Sequence, residues 1–432
     1  MVRFENISWV DPKGVLVPGP LVVRGDDDAA CPAGADAADG PGTVVDGAGG
    51  VVLPGLVDPH VHLREPGRAY KEGIANGTRA ALAGGVTTVL VMPNDVPPTV
   101  TEALLSRKRQ RFERKSSVRW GLFLQAPAAG PVPRCARIAG VKVYLSRASS
   151  QPAIHDRARL AEIFAAADTV AVHAEDESRF VKSGSRHQDM RPRDAVTSAL
   201  EKVRSVLESL PAGDRPRLVL CHAATCEELV WLAEAKAMGM DVWGETCPHY
   251  AQFTQEDHES VGPLLQVNPP LRTERDRAAI AAALRDGPID FLGTDHAPHT
   301  RAEKQSATPP SGIAGIEWFA PWLVQQVERG LLSWARALDL GARNAAQCYG
   351  IPLPGLTCPG PYRDAVLLQR IESRGPRPRW VRGRRPTVTK AGWNPYAHAG
   401  LEWAVTACVV DGRLAYREGR FADGPMGKEV YA

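Results

Sequence analysis

The chain has 432 residues, 44% apolar and 23% charged, the composition of an ordinary globular protein long enough for more than one folding unit. Lys plus Arg total 52 against 49 for Asp plus Glu, and a net charge of +3 argues against nucleic acid or another polyanion as partner. There is no apolar run of about 18 residues to cross a membrane, Met1 to Val10 lacks the apolar core of a secretory signal, and the eight scattered cysteines contain no CxxC pair, so reduced thiols and a cytoplasmic location are expected.

Residues 1–53 are expected to form short strands broken by turns at Pro18-Gly19-Pro20 and Asp46-Gly47, with Asp26 to Gly42 as an exposed loop. Eight short apolar runs follow: Leu56-Val57, Val86 to Met92, Val118 to Leu124, Val141 to Leu145, Val170 to His173, Leu218 to Cys221, Asp241 to Glu245 and Ile289 to Gly293. Helical patterns such as Gly73 to Ala83 and Cys226 to Ala237 lie between them. Runs that are apolar throughout, rather than alternating, suit parallel strands buried on both faces. The simplest closure is an α/β (β/α)8 TIM-type barrel over residues 54–355, with its active site at the C-terminal strand ends. Further on, Asp364 to Leu368, Ala404 to Val410 and Leu414 to Tyr416 are expected as strands, the last two joined by a hairpin at Asp411-Gly412. Residues 1–53 and 356–432 would then form one small composite β-sandwich domain. The basic stretch from Arg374 to Arg385 is expected to be a solvated loop.

Polar residues fall at the ends of those runs. His60 and His62 follow the first run at i, i+2, which places both side chains on one side of an extended segment. Lys142 sits inside the fourth run, His173 ends the fifth, His222 the sixth and Asp295 the eighth. A single histidine at a strand end is usually a satisfied structural residue. Six ligand-type or chargeable groups on one rim are a metal site. Nitrogen and oxygen donors of this kind suit zinc, which lowers the pKa of a bound water and polarises a carbonyl. Lys142 stands out because an ammonium beside divalent cations is repelled. A neutral amine between Val141 and Val143 can instead react with carbon dioxide, and the resulting carbamate is an anion able to bridge two metals.

Longer motifs carry a resemblance. Pro54-Gly-Leu-Val-Asp-Pro-His-Val-His-Leu-Arg-Glu-Pro-Gly67 and Gly293-Thr-Asp-His-Ala-Pro-His-Thr300 resemble the two signatures of dihydroorotases in the amidohydrolase superfamily. Met92-Pro93-Asn94, Val267-Asn-Pro-Pro-Leu-Arg272, Pro310-Ser-Gly-Ile-Ala-Gly-Ile-Glu317 and Lys390-Ala-Gly-Trp-Asn-Pro-Tyr are similar to further family segments, in the same order. The resemblance implies two zinc ions. His60, His62 and Asp295 would hold the first, His173 and His222 the second, and an N6-carboxylysine at Lys142 would bridge them. A hydroxide shared by the ions would attack the ring amide of (S)-dihydroorotate and give N-carbamoyl-L-aspartate, reversibly, as in de novo pyrimidine (UMP) biosynthesis. Asp295 would move the proton, Arg64, Asn94 and His299 would bind the substrate carboxylate, and Asn268 would lie against the ring.

Three departures from the family pattern stand out. Lys142 occupies a position that is an Asp in many stand-alone bacterial members, and so resembles the form fused into larger pyrimidine enzymes. Ala148 replaces a Thr of a loop that closes over substrate, with Ser149 or Ser150 as substitutes, and Trp318 stands where a Thr is common. Cys221 and Glu245 together with His173 have two readings, a third metal site or simply a buried thiol and a rim carboxylate. His155, His187, His258 and His398 are expected at the surface, His249 as a support of the rim, and His296 beside the ligands rather than among them. The alternatives are another cyclic amidohydrolase, either a dihydropyrimidinase (hydantoinase) or an allantoinase, and a non-catalytic scaffold for aspartate transcarbamoylase. Arg64 and Asn94 speak against the first, since those substrates lack a ring carboxylate. The intact ligand set speaks against the second. By analogy, a homodimer or a complex with aspartate transcarbamoylase is expected.

Overall fold

The eight apolar runs become the eight strands of one parallel sheet: β1 (Leu56–Val61), β2 (Val86–Val91), β3 (Arg119–Gln125), β4 (Gly140–Tyr144), β5 (Thr169–His173), β6 (Arg217–Leu220), β7 (Val242–Thr246) and β8 (Ile289–Leu292). Each strand pairs with its neighbours in sequence order. The ring closes just beyond the last strand, where Val61 bridges to His296 and the His62 N–H donates to the His296 carbonyl at 2.7 Å. The fold is thus the expected (β/α)8 barrel. This computed structural model describes residues 1–25, 42–147, 152–182, 184, 186–358, 361–371, 387–396 and 399–432. The expected loop from Asp26 to Gly42 except for Gly42 itself, Ala148 to Ser150, the basic stretch from Arg374 to Arg385 and His398 lie outside the described residues.

Helices between the strands begin where local chemistry directs. Thr225 opens the helix Cys226–Ala237 with a capping box: its hydroxyl accepts from the Glu228 N–H, and the Glu228 carboxylate accepts from the Thr225 N–H at 2.9 Å. The helix Ile74–Ala83 starts at Gly73, whose φ of 91° only glycine adopts without strain. No helix among the described residues is long and apolar enough to cross a membrane. The seven described cysteines are all free thiols.

A second sheet joins the two ends of the chain. Val2–Val10, Leu16–Pro18, Leu21–Val23 and Thr43–Pro54 supply one half, and Ala365–Arg370, Trp403–Val410, Arg413–Arg417 and Arg420–Phe421 the other. Thr43–Pro54 lies at the seam, parallel to Val2–Val10 and antiparallel to Ala365–Arg370. Alternation along a strand divides its side chains between two cores. Ala365 and Leu367 pack with Val2, Phe4 and Val409, while Val366 and Leu368 pack into the barrel's own core. The hairpin at Asp411-Gly412 has φ of 48° and 70°, as a tight two-residue turn requires. Asp46-Gly47 is not the expected turn. It lies inside Thr43–Pro54, where the pairing with Val2–Val10 slips between Glu5 and Ile7, and the positive φ of Ala48 and Gly49 takes up a bulge.

Candidate active site

Barrel closure brings the rim residues together. The last residues of β1 and the turn after β8 meet at Asp295, whose Oδ1 lies 3.5 Å from His60 Nε2 and 3.0 Å from His62 Nε2. Across the barrel, His173 Nδ1 faces His222 Nε2 at 3.0 Å, and the His222 ring centroid is 5.3 Å from that of His60. Lys142 is fully buried below them. Its Nζ donates to Cys221 Sγ at 2.8 Å and lies 5.4 Å from the Tyr144 ring centroid. All six expected rim groups therefore converge.

The backbone is strained where the site needs it. Arg64, His222 and Asp295 have φ of 61°, 43° and 45°, a left-handed region that residues with a side chain rarely occupy. Gly293 is small for a second reason: a Cβ there would sit 2.9 Å from His60 Cβ and 3.0 Å from Glu245 Cδ. It leaves room for the contact between those two residues.

Behind each clamp histidine stands an acceptor. His60 Nδ1 contacts Glu245 Oε1 at 2.6 Å, and His62 Nδ1 contacts Asn94 Oδ1 at 2.6 Å. Asp58, two residues before His60, accepts from Thr294 N and His60 N at 3.0 and 3.2 Å, and from the Thr294 hydroxyl at 2.5 Å. It couples the first motif to the turn that carries Asp295. Burial pushes its carboxyl up to about 7 against those hydrogen bonds. Neither Asp58 nor the contact between His60 and Glu245 was foreseen. The shared parity of Asp58 and His60 in one strand was the available signal.

The electrostatics fit a cation. Burial holds the His62 imidazole down at about 4 and the His173 and His222 rings below their ordinary value, so all three offer lone pairs at neutral pH. His60 goes the other way. Burial opposes its charge, but Glu245 and Asp295 push it up to about 10, so a proton sits where two carboxylates demand a positive charge. Burial alone would raise Asp295, yet His60 and His62 hold it well below the carboxylate range. His222 Nδ1 and Glu245 Oε2 are buried and without a hydrogen-bond partner. His60, His62 and Asp295 form a set of donor atoms close enough to share one ion, as do His60, Cys221 and Glu245. The second set corrects the expected third-metal group. His60 is its histidine, because His173 turns to His222 and to Glu175, which its Nε2 meets at 3.0 Å.

Above these groups opens a cavity of about 450 Å³, a usual size for a small-molecule site. His60, His62, Arg64, Asn94, His173, His222, Asn268, Asp295 and His299 all line it, as expected, whereas Lys142 lies beneath. Arg68, Arg147 and Arg191 line it as well, leaving Asp295 as the one acidic group among the described residues of a cationic wall. Arg64 Nη2 is 3.1 Å from His299 Nε2, and Lys71 Nζ is 2.9 Å from His299 Nδ1. Burial, Arg64 and Lys71 hold His299 neutral, down at about 2. Burial lowers Arg64 to about 10, still charged at neutral pH.

The histidines outside the rim divide. His155 is exposed as expected, but His187 and His258 are half-buried. His187 Nε2 contacts the Val267 carbonyl at 3.0 Å and Asn268 Oδ1 at 2.9 Å, so it holds a cavity residue in place. Its position on the short helix His187–Met190 hid this from a local reading. His249 and His296 are buried, and neither makes a hydrogen bond from its ring. Trp318 packs half-buried against the barrel core and is not among the cavity-lining residues. Lys304, also unforeseen, is buried and donates to the carbonyls of Gln266, Pro310 and Gly312 at 2.9–3.0 Å, pinning the segment that forms one cavity wall.

A family model described as "Amidohydrolase family" matches residues 51–384. The chain is 34% identical over 338 residues to a dihydroorotase of Halobacterium salinarum, covering 75% of this chain and 78% of that one. It is 30% identical over 382 residues to a dihydroorotase of Pyrococcus furiosus, covering 88% and 85%. Among solved structures it resembles the L-hydantoinase (dihydropyrimidinase) of Arthrobacter aurescens, with a TM-score of 0.84, 23% identity and 99% coverage of both chains. At that identity the likeness concerns the fold.

Proposed function

The chain belongs to the amidohydrolase family, in its dihydroorotase branch, and from that premise we propose that it interconverts dihydroorotate and N-carbamoyl-aspartate in pyrimidine synthesis. The observation that carries the reading is Asp295, the lone carboxylate among the described residues of a cavity lined by Arg64, Arg68, Arg147 and Arg191, set against the nitrogens of His60 and His62. A cationic wall suits a substrate with a carboxylate. It disfavours the neutral rings of hydantoins and dihydropyrimidines, so the hydantoinase alternative rests on the shared fold alone.

His60, His62 and Asp295, whose donor atoms lie close together, would hold one zinc ion, and His173 and His222 a second, with Lys142 as its carbamate completing the donor set. Ions so held would supply a water acidic enough to react at neutral pH and would polarise the ring carbonyl. The protein's own groups do the rest. Arg64 offers a planar fork to the substrate carboxylate, with Asn94 and the neutral His299 beside it. Asn268, steadied by His187, faces the ring. As oxygen adds to the ring carbonyl, Asp295 takes its proton. As the carbon–nitrogen bond breaks, Asp295 returns that proton to the leaving ring nitrogen, and ring closure retraces the same path. The imidazoles of His60 and His62 hold Asp295 ionised.

Glu245 serves as acceptor for the His60 Nδ1–H rather than as a ligand, because one neutral ring cannot offer lone pairs from both nitrogens. The zinc count of Cys221→Ala should therefore equal that of the wild type. The main test is an assay of the zinc-loaded enzyme with dihydroorotate, N-carbamoyl-aspartate, hydantoin, dihydrouracil and allantoin, alongside its metal content. Turnover confined to the first two is expected. Full metal occupancy with no turnover of either would refute the reading.

A further inference from the structure

We propose that Glu175 is a positioning residue for the metal centre, taking the Nε2 proton of His173 so that the Nδ1 lone pair faces His222, with Arg191 holding Glu175 from the cavity wall. The inference rests on the metal reading above and adds a residue that neither signature motif contains.

His173 faces a partner on each side. Its Nδ1 is 3.0 Å from His222 Nε2, and its Nε2 is 3.0 Å from Glu175 Oε2. A neutral imidazole has one donor and one acceptor nitrogen, and an ionised carboxylate only accepts. The proton therefore belongs on Nε2. The opposite tautomer would point a lone pair at a carboxylate and an N–H into the space shared with His222.

Glu175 can impose this because it is itself held fast. It is fully buried two residues past the end of β5. Arg191 Nε lies 3.2 Å from both of its oxygens, and Arg191 Nη2 bonds Oε2 more closely. Arg191 is restrained in turn: Nη2 reaches Ser146 Oγ at 3.2 Å, and the guanidinium lies 4.1 Å from the Phe180 ring centroid. The backbone is pinned too, since Asp176 N donates to the Ala195 carbonyl at 2.8 Å. Neither His173 Nε2 nor His222 Nδ1 makes a well-aligned hydrogen bond, but a carboxylate oxygen, that of Glu175, stands 3.0 Å from the first. The placement of a second ion thus depends on Glu175, just as the first depends on Glu245 behind His60 and Asn94 behind His62.

The test is zinc binding by the full chain, measured as ions per chain and as affinity in chelator competition, with the visible spectrum of the cobalt-substituted protein as a second readout. Glu175→Ala should keep the first ion and bind the second roughly 10–100-fold more weakly. Glu175→Gln, whose amide oxygen still accepts the Nε2 proton, should restore most of that loss. Wild-type affinity for both ions in Glu175→Ala overturns the proposal. So does a Glu175→Gln as weak as Glu175→Ala, which would assign the effect to charge alone. If Glu175→Ala does not fold by circular dichroism, Arg191→Ala carries the test. Weaker second-ion binding supports the role, and unchanged binding overturns it. A wild type that holds fewer than two ions would instead refute the metal reading itself.

Discussion

The two ends of the barrel hold buried charge in opposite ways. At the N-terminal end of β3, Glu429 is buried between Arg109 and Arg137, and Arg119 pairs with Asp364. The C-terminal segment seals that end with backbone hydrogen bonds from Met426 and Gly427 to Ser116, and between Trp120 and residues 428 and 430. At the opposite rim, ring nitrogens of His173 and His222 face one another at 3.0 Å, Glu245 Oε2 and His222 Nδ1 stay unpaired, and three residues accept a left-handed backbone. Charge matched by charge stabilises the closed end. Polar atoms left without a partner at the rim are the capacity to bind something else.

The comparison predicts that substitutions at the rim change catalysis and those at the base change stability. Asp295→Asn should lower kcat by about 10³-fold or more, since it removes the proton acceptor, while the circular dichroism spectrum stays unchanged. Arg64→Ala should cost about 10²-fold in kcat/KM, the order expected for removing one partner of a desolvated charge pair, with zinc content as in the wild type. Glu429→Ala, at the base, should leave kcat and KM unchanged and lower stability by about 1–3 kcal/mol in denaturant unfolding, because two arginines lose their acceptor. A lost kcat there would break the comparison. Lys304→Met sharpens it, since Lys304 is a structural residue that serves the cavity. KM should rise about tenfold, equivalent to 1.4 kcal/mol, with kcat retained.

The smallest effect is in pH. His187 and His249 are held down at about 4 by burial, against an ordinary value of 6.5. In the unfolded chain they take up protons that the folded chain refuses. Their contribution is therefore fully present above pH 6.5 and is lost as pH falls toward 4. Denaturant midpoints between pH 7 and pH 4 should fall accordingly, and His249→Phe should flatten the slope. An unchanged slope would remove His249 from the account.

Much of this was legible in the chain. The uniformly apolar runs predicted buried parallel strands, and the i, i+2 spacing of His60 and His62 placed both on one side of β1, because side-chain direction in a strand has a period of two. The position of Lys142 within an apolar run marked it as a buried amine before any partner was known. Periodicity assigns a face, however, and not the residue across the ring. His60 meets Glu245 across 185 positions, and Asp58 meets Thr294 across 236. His187 reaches Asn268 across 81, which turned an expected surface residue into a support of the cavity wall. The strand ends, their residue types and the ligand motifs were determined by the sequence itself. Which lone pair each histidine offers, and which carboxylate stays free, was decided only when barrel closure set distant strand ends side by side, because a tautomer is chosen by the group that touches the ring.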